Sequence, residues 1–133
     1  MQENTLTAEI FAVTAPYANI YQSDQPRWLF VCSAGMLRSP TGAKVAANMG
    51  KNTRSCGTST YALIPLSANL IMWADKIFFV NKENLYEARF VYRDTEYVNI
   101  IDQKAVALDI PDIYEAYSPK LVEIFETVLQ EYA

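Results

Sequence analysis

Segments with strand character alternate with segments with helix character from residue 28 onwards. Strands are predicted at 28–32, 52–56, 76–80 and 105–108, and the first and third are short apolar runs typical of buried parallel strands. Parallel neighbours need crossover connections, which the helices between the strands supply. The alternation therefore predicts an α/β fold: a small four-stranded parallel sheet with helices on both faces.

Two serine–proline pairs mark helix starts, because serine is a good N-cap and proline suits the first helical position. Ser39-Pro40 precedes a helix at 41–49, which Gly50 ends. Ser118-Pro119 begins the last helix, whose apolar face comprises Leu121, Val122, Phe125, Val128 and Leu129. Two further helices are predicted between these, at 67–73 and 82–89.

Chain length and charge limit the classes of function that this protein can have. A chain of 133 residues predicts one domain. Its 11 basic and 15 acidic residues give a net charge of −4, which argues against a nucleic-acid partner. The chain has no histidine, which excludes histidine triads and nearly every zinc site, so we expect neither a metal nor a cofactor.

Cysteine usage favours a reducing, cytoplasmic setting, since Cys32 and Cys56 form neither a C-x-x-C pair nor a disulfide framework. No basic residue precedes Arg27, so a secretory signal is not indicated. The most apolar stretch, 62–80, is interrupted by proline and charged residues, and we expect no membrane association. Apolar residues lack a clean period before the first strand. We therefore predict an N-terminal extension at 1–27 and a domain at 28–133.

The segment best suited to chemistry is Val-Cys-Ser-Ala-Gly-Met-Leu-Arg-Ser-Pro-Thr at 31–41. It places Cys32 at the end of a strand and Arg38 at a helix start, with five loop residues between them. Successive loop N–H groups ahead of a helix N-terminus form a concave anion site and favour a thiolate at the cysteine. The predicted phosphate-binding residues are Ser33, Ala34, Gly35, Met36, Leu37 and Arg38.

Two side chains at the end of this segment fit phosphoryl chemistry. The guanidinium of Arg38 can hold two phosphoryl oxygens at once. The hydroxyl of Ser39 can donate a hydrogen bond to the thiolate of Cys32 and assist its departure. A cysteine after an apolar strand is more often a small buried hydrophobe. The arginine spacing, the glycine and the Ser-Pro pair agree instead with a phosphate site.

Cys-x5-Arg-Ser-Pro after a leading strand resembles the low-molecular-weight protein tyrosine phosphatase family, in particular its bacterial and phage branch. Residues 54–61 resemble the family's Ser-Ala-Gly-Thr segment, 73–80 its Ala-Asp-x-Ile strand entry, and 108–114 its Asp-Pro-Tyr segment. The resemblance runs from Trp28 to the C-terminus. It implies a flavodoxin-like strand order and a phosphatase domain that cleaves phosphotyrosyl proteins or small aryl phosphates through a phosphocysteine.

The loop departs from the family at two positions. Gly35 stands where family members carry the asparagine that braces the loop, and Leu37 stands where they carry a second loop cysteine. The usual partner for reversible disulfide protection is therefore missing. Because Cys56 is predicted to end the neighbouring strand, we hypothesise that it forms a disulfide with Cys32 under peroxide.

Cleavage of an aryl phosphate needs a proton donor, and without histidine a carboxylic acid must supply it. Asp112 matches the family's Asp-x-Tyr spacing and its distance from the last helix, so we predict it as the acid. Asp109, at the strand end, is the alternative, and the aspartate that is not the acid would position Arg38 or shape the loop. Tyr61 and Tyr114 are the predicted aromatic walls of the substrate pocket.

Two other functions fit the same residues. An arsenate reductase on this fold needs a relay of further cysteines, and only Cys56 is available. A non-catalytic phosphate-binding module would agree with the altered loop and the N-terminal extension. A phosphatase is favoured because binding alone needs neither a thiolate nor an acid.

Overall fold

Four parallel strands lie at the centre of the computed structural model, which describes residues 24–33 and 38–133. They are β1 (Arg27–Cys32), β2 (Asn52–Gly57), β3 (Lys76–Phe79) and β4 (Ala105–Ala107). The strand order is β2-β1-β3-β4, and every neighbouring pair is parallel. The predicted α/β class and the flavodoxin-like order are confirmed.

Five helices are described: α1 (Arg38–Asn48), α2 (Ala68–Trp73), α3 (Lys82–Val91), α4 (Tyr97–Lys104) and α5 (Pro119–Leu129), the last followed by a 3₁₀ turn at Gln130–Tyr132. The Ser118-Pro119 start is confirmed, since Ser118 Oγ accepts a hydrogen bond from Leu121 N. Gly50 has φ +90° just beyond α1, where glycine is favoured.

Helix α4 was not predicted, because its β-branched residues have modest helix propensity. Tertiary contacts stabilise it instead. Ile101 is fully buried in the core below α2, and Lys104 Nζ donates a 2.8 Å hydrogen bond to the carbonyl of Ile71 in that helix. Packing therefore decides the conformation of this segment.

The two faces of the sheet carry separate apolar cores, because side chains alternate along each strand. In β1, Trp28, Phe30 and Cys32 face the core under α1 and α5, while Leu29 and Val31 face the core under α2, α3 and α4. We call these the first core and the second core.

Gly42 lets α1 approach the sheet closely. A Cβ at this position would lie 2.7 Å from Cδ1 of Phe30 and 2.8 Å from Cε1 of Phe125. These rings belong to β1 and α5, so the absence of a side chain at Gly42 sets the distance between α1 and both neighbours. The close approach places the first turn of α1 against the carboxyl ends of the strands.

The division into an extension at 1–27 and a domain at 28–133 stays a prediction, because residues 1–23 lie outside the described residues. Within the part of the chain that the structure describes, no helix combines the length and apolar character needed to cross a membrane.

Candidate active site

Cys32 and Arg38 lie at the carboxyl edge of the sheet, where ligands bind in folds of this class. Cys32 is the last residue of β1 and Arg38 the first of α1, and both are buried, with 4% and 8% of their surface exposed. Residues 34–37, predicted to bind phosphate with Ser33 and Arg38, lie outside the described residues. The anion site between the two buried side chains stays a prediction.

Ser39 contacts the sulfur of Cys32. Its Oγ lies 3.0 Å from Sγ and donates a 3.2 Å hydrogen bond to the carbonyl oxygen of Cys56. The prediction that Ser39 is an N-cap is wrong: α1 already begins at Arg38, and the Ser39 hydroxyl is directed to the sheet. A hydroxyl has one proton, so it can accept from a neutral thiol while bonded to the carbonyl, or turn to donate to a thiolate.

Arg38 is held by the segment that follows β4. Its Nη1 donates a 3.1 Å hydrogen bond to the carbonyl oxygen of Ile110, and its Nε lies 3.5 Å from Oδ1 of Asp112. The arginine side chain is 10% exposed and that of Asp112 is 64% exposed. The guanidinium is therefore fixed, while the carboxylate beside it faces solvent.

The structure brings Asp112, and not Asp109, next to Arg38. Beyond β4 the chain continues along β3: Leu108 N donates to the carbonyl of Phe79, and Ile110 N donates to that of Val80. Leu108 and Ile110 are buried in the first core, and Asp109 between them is exposed. Of the two aspartates, the predicted acid is thus the one that contacts the arginine. The choice of Asp112 rather than Asp109 as the acid stays a prediction.

The two predicted wall residues differ in their surroundings. Tyr61 is 91% exposed in the turn after β2, where its backbone N–H donates to Ser59 Oγ at 3.0 Å. Tyr114 is half-buried against the first core, two residues after Asp112. Their role as aromatic walls stays a prediction.

Cys56 faces away from Cys32. It pairs with Val31 in the sheet and lies in the second core, while Cys32 lies in the first core. Side chains of paired residues in neighbouring strands share a face, so the two thiols point to opposite faces, and the disulfide hypothesis is wrong. Burial, and secondarily the charge of Cys32, raises the pKa of the Cys56 thiol well above its ordinary value.

Two polar residues of α3 that lie near Cys32, Asn84 and Glu87, were not predicted from the sequence. Asn84 Nδ2 donates to Ser33 Oγ at 2.9 Å, and Glu87 Oε1 accepts from Ser33 Oγ at 3.2 Å and from Thr58 Oγ1 at 2.6 Å. Their three-residue spacing on a helix that starts just after β3 was the available signal. It places both side chains on one helix face at the carboxyl edge.

Known proteins resemble this chain in structure rather than in sequence. No protein-family model matches the chain, and no curated protein matches it. Wzb of Vibrio vulnificus, solved with benzylphosphonate, has a TM-score of 0.62 and 17% identity, over 81% of this chain and 97% of its own. The tyrosine phosphatase Wzb of Escherichia coli K30, solved with phosphate, has a TM-score of 0.63 and 14% identity, over 81% and 96%.

A third similar structure is SP-PTP, a low-molecular-weight protein tyrosine phosphatase from Streptococcus pyogenes. Its TM-score is 0.64 at 12% identity, over 81% of this chain and 91% of its own. In each case the alignment covers nearly the whole of the other protein, so the likeness extends over its complete fold. The chain has the fold of the low-molecular-weight protein tyrosine phosphatases, as its sequence motifs predicted.

Proposed function

We propose that this protein is a protein tyrosine phosphatase, a phosphoric monoester hydrolase that works through a phosphocysteine. One observation carries the proposal. Cys32 Sγ lies 3.0 Å from the buried hydroxyl of Ser39, and the residue before Ser39, Arg38, lies with its Nε 3.5 Å from Oδ1 of Asp112. Two of the similar structures are described as tyrosine phosphatases, and one of these was solved with phosphate. Nucleophile, hydroxyl donor, anion-binding group and acid are the parts that this chemistry needs.

In the first step the thiolate of Cys32 attacks phosphorus opposite the leaving oxygen. The S–P bond forms as the P–O ester bond breaks, and Asp112 gives its proton to the departing phenolate. Ser39 turns its hydroxyl proton towards the sulfur and stabilises the thiolate before attack. The phosphoryl group is then bound to Cys32.

Arg38 stabilises the charge on the phosphoryl oxygens in the transition state. Its hydrogen bond to the carbonyl of Ile110 sets the direction of the guanidinium before the substrate arrives. The pair with Asp112 is exposed on the carboxylate side, and such pairs contribute only about 0–1 kcal/mol. The dianionic substrate can therefore displace Asp112 from Arg38 at little cost, and the released carboxylate takes up a proton from solvent before it serves as the acid.

In the second step Asp112, now ionised, accepts a proton from water, which attacks phosphorus. The S–P bond breaks, inorganic phosphate forms, and Cys32 leaves as a thiolate that again accepts the hydroxyl proton of Ser39. The substrate is a phosphotyrosyl protein or a small aryl phosphate, whose ring would lie against Tyr114 and Tyr61. Because a catalytic thiolate must remain reduced, we propose the cytoplasm as its compartment.

Hydrolysis of para-nitrophenyl phosphate by the wild type and by Cys32→Ser tests the proposal. We expect turnover by the wild type, loss of turnover in Cys32→Ser without loss of fold, and a phosphorylated Cys32 in rapidly quenched wild-type samples by mass spectrometry. Equal rates for the two proteins would disprove the mechanism. Binding of inorganic phosphate without any turnover would indicate a phosphate-binding module instead.

A further inference from the structure

A carboxylate that the mechanism does not use collects three hydrogen bonds beside the nucleophile. Oε1 of Glu87 accepts from Thr58 Oγ1 at 2.6 Å, from Asn84 Nδ2 at 3.1 Å and from Ser33 Oγ at 3.2 Å. These donors come from the residue after β2, from α3 itself and from the residue that follows Cys32. A single side-chain oxygen thus joins three elements at the carboxyl edge of the sheet.

The backbone on the same side of Cys32 is bonded to the same residues. Thr58 N donates to the carbonyl oxygen of Cys32 at 2.9 Å, and Ser59 N donates to that of Ser33 at 2.8 Å. The hydroxyl of Ser33 both accepts from Asn84 and donates to Glu87. The Cys32–Ser33 segment is therefore held through its backbone carbonyls by Thr58 and Ser59, and through the Ser33 side chain by α3.

Glu87 is itself exposed, so burial of apolar surface does not explain its place. Hydrogen bonds to an ionised acceptor are roughly twice as strong as neutral ones, and Glu87 can hold three donors at one point. A displacement of about 1 Å at a reacting group can cost roughly a hundredfold in rate. A side chain that holds the residue next to the nucleophile can therefore affect the rate without touching the substrate.

We propose that Glu87 is a positioning residue, which fixes the Cys32–Ser33 peptide through the hydroxyls of Ser33 and Thr58 and thereby sets the direction of Cys32 Sγ. Its effect on rate rests on the proposed phosphatase function. Its effect on the structure does not, and the two are measured separately.

The kinetic test compares Glu87→Ala with Glu83→Ala, which removes an equal charge from the same helix at an exposed position. We expect Glu87→Ala to lower kcat on para-nitrophenyl phosphate roughly ten- to hundredfold, with KM changed less than threefold, while Glu83→Ala keeps wild-type values. Glu87→Gln should restore most of kcat, because its amide oxygen can accept from the same donors. If kcat in Glu87→Ala is normal, or if Glu87→Gln loses as much as Glu87→Ala, the proposal is wrong.

A double mutant tests the route of the effect. If Glu87 acts in part through Ser33, the loss of kcat in the double mutant Ser33→Ala with Glu87→Ala should be smaller than the product of the two single losses. Multiplied losses in the double mutant would show that the two residues act independently and would overturn the proposal.

Amide hydrogen exchange, followed by NMR at Thr58 and Ser59, separates this proposal from the proposed function, because it needs no turnover. These amides donate to Cys32 and Ser33, so Glu87→Ala should raise their exchange rates about tenfold relative to the wild type, and Glu83→Ala should not. Unchanged exchange would refute the positioning role even in an active enzyme. Faster exchange in a protein without phosphatase activity would support it while the proposed function fails.

Discussion

The hydroxyl oxygen of Ser39 lies 3.0 Å from the sulfur of Cys32, and both side chains are buried. The first atom belongs to the opening turn of α1 and the second to the last residue of β1, so the contact joins a helix start to a strand end. Because the same hydroxyl also reaches the carbonyl of Cys56 at 3.2 Å, it has a partner whether the thiol is neutral or ionised.

Removal of this hydroxyl should slow the reaction. A hydrogen bond to a charged group contributes about 1.5–3 kcal/mol, which corresponds to roughly ten- to hundredfold in rate. We expect Ser39→Ala to lower kcat on para-nitrophenyl phosphate by that factor, measured at steady state. Ser118→Ala is the control, since it also removes a serine hydroxyl but one that caps α5; it should cost about 1 kcal/mol of stability and leave kcat unchanged. A wild-type kcat in Ser39→Ala would contradict the assignment.

Asp112→Asn should make the rate depend on the leaving group. General acid help is worth about 10²–10⁴-fold, and it matters most for a poor leaving group such as that of phosphotyrosine. We expect kcat of Asp112→Asn to fall strongly with phosphotyrosine as substrate and only slightly with dinitrophenyl phosphate, and kcat should be measured with both substrates. Asp109→Asn, which changes the exposed neighbour, should act equally on both substrates. If Asp109→Asn shows the leaving-group dependence instead, the acid is misassigned.

The buried thiol of Cys56 should make stability fall at alkaline pH. Burial raises its pKa well above 9.0 in the folded protein, whereas in the unfolded chain it ionises near its ordinary value. Above about pH 9 only the unfolded state loses this proton, so the free energy of unfolding decreases by up to about 1.4 kcal/mol per pH unit. This contribution is fully present below the unfolded pKa and is lost as pH rises towards the folded one.

Urea unfolding of wild type and Cys56→Ala between pH 7 and 10.5, under reducing conditions, measures this contribution. Lys104, whose pKa is lowered by burial, occurs in both proteins, so its effect cancels in the difference. The pKa of Tyr92 is raised mainly by burial, which is common to both proteins, and secondarily by the charge of Cys56, which only the wild type has. The stability advantage of the wild type over Cys56→Ala should shrink as pH rises. Parallel curves would show that Cys56 ionises alike in the folded and unfolded states.

Gly42→Ala should destabilise the protein although alanine is the better helix former. The added Cβ would lie under 3 Å from the rings of Phe30 and Phe125, and overpacking of a core costs about 1–3 kcal/mol. We expect a loss of that size in urea unfolding. Ala47→Gly, at an exposed position of α1, calibrates helix propensity and should cost about 1 kcal/mol. A more stable Gly42→Ala would show that α1 can move away from the sheet freely.

Local patterns were sufficient to predict the sheet and most of its helices. The apolar run before Cys32 and the serine–proline pair at Ser118 act through burial and capping, which depend on neighbouring residues in the chain. Helix α4 escaped prediction because its support comes from α2, about thirty residues earlier: Lys104 donates to the carbonyl of Ile71. A contact over such a separation leaves no local pattern.

Some residues of the candidate site could likewise be predicted from the sequence, and others could not. Cys32 and Arg38 were proposed together from their spacing across a strand end and a helix start, and Asp112 from its resemblance to the family's Asp-x-Tyr segment. The network around Glu87 was not predicted, since its donors lie on three different elements that only the folded chain brings together.

The relation between Cys32 and Cys56 was decided by tertiary structure alone. The sequence places each cysteine at the end of a strand, and a disulfide between the two thiols was predicted from that placement. The pairing of Val31 with Cys56 sets which face each side chain takes, and a shift of one residue would reverse it. The sequence by itself thus determined the strands, the edge and the reactive residue types. The register between strands determined which of those side chains lie on the same face of the sheet and contact each other. That register depends on the packing of both cores at once.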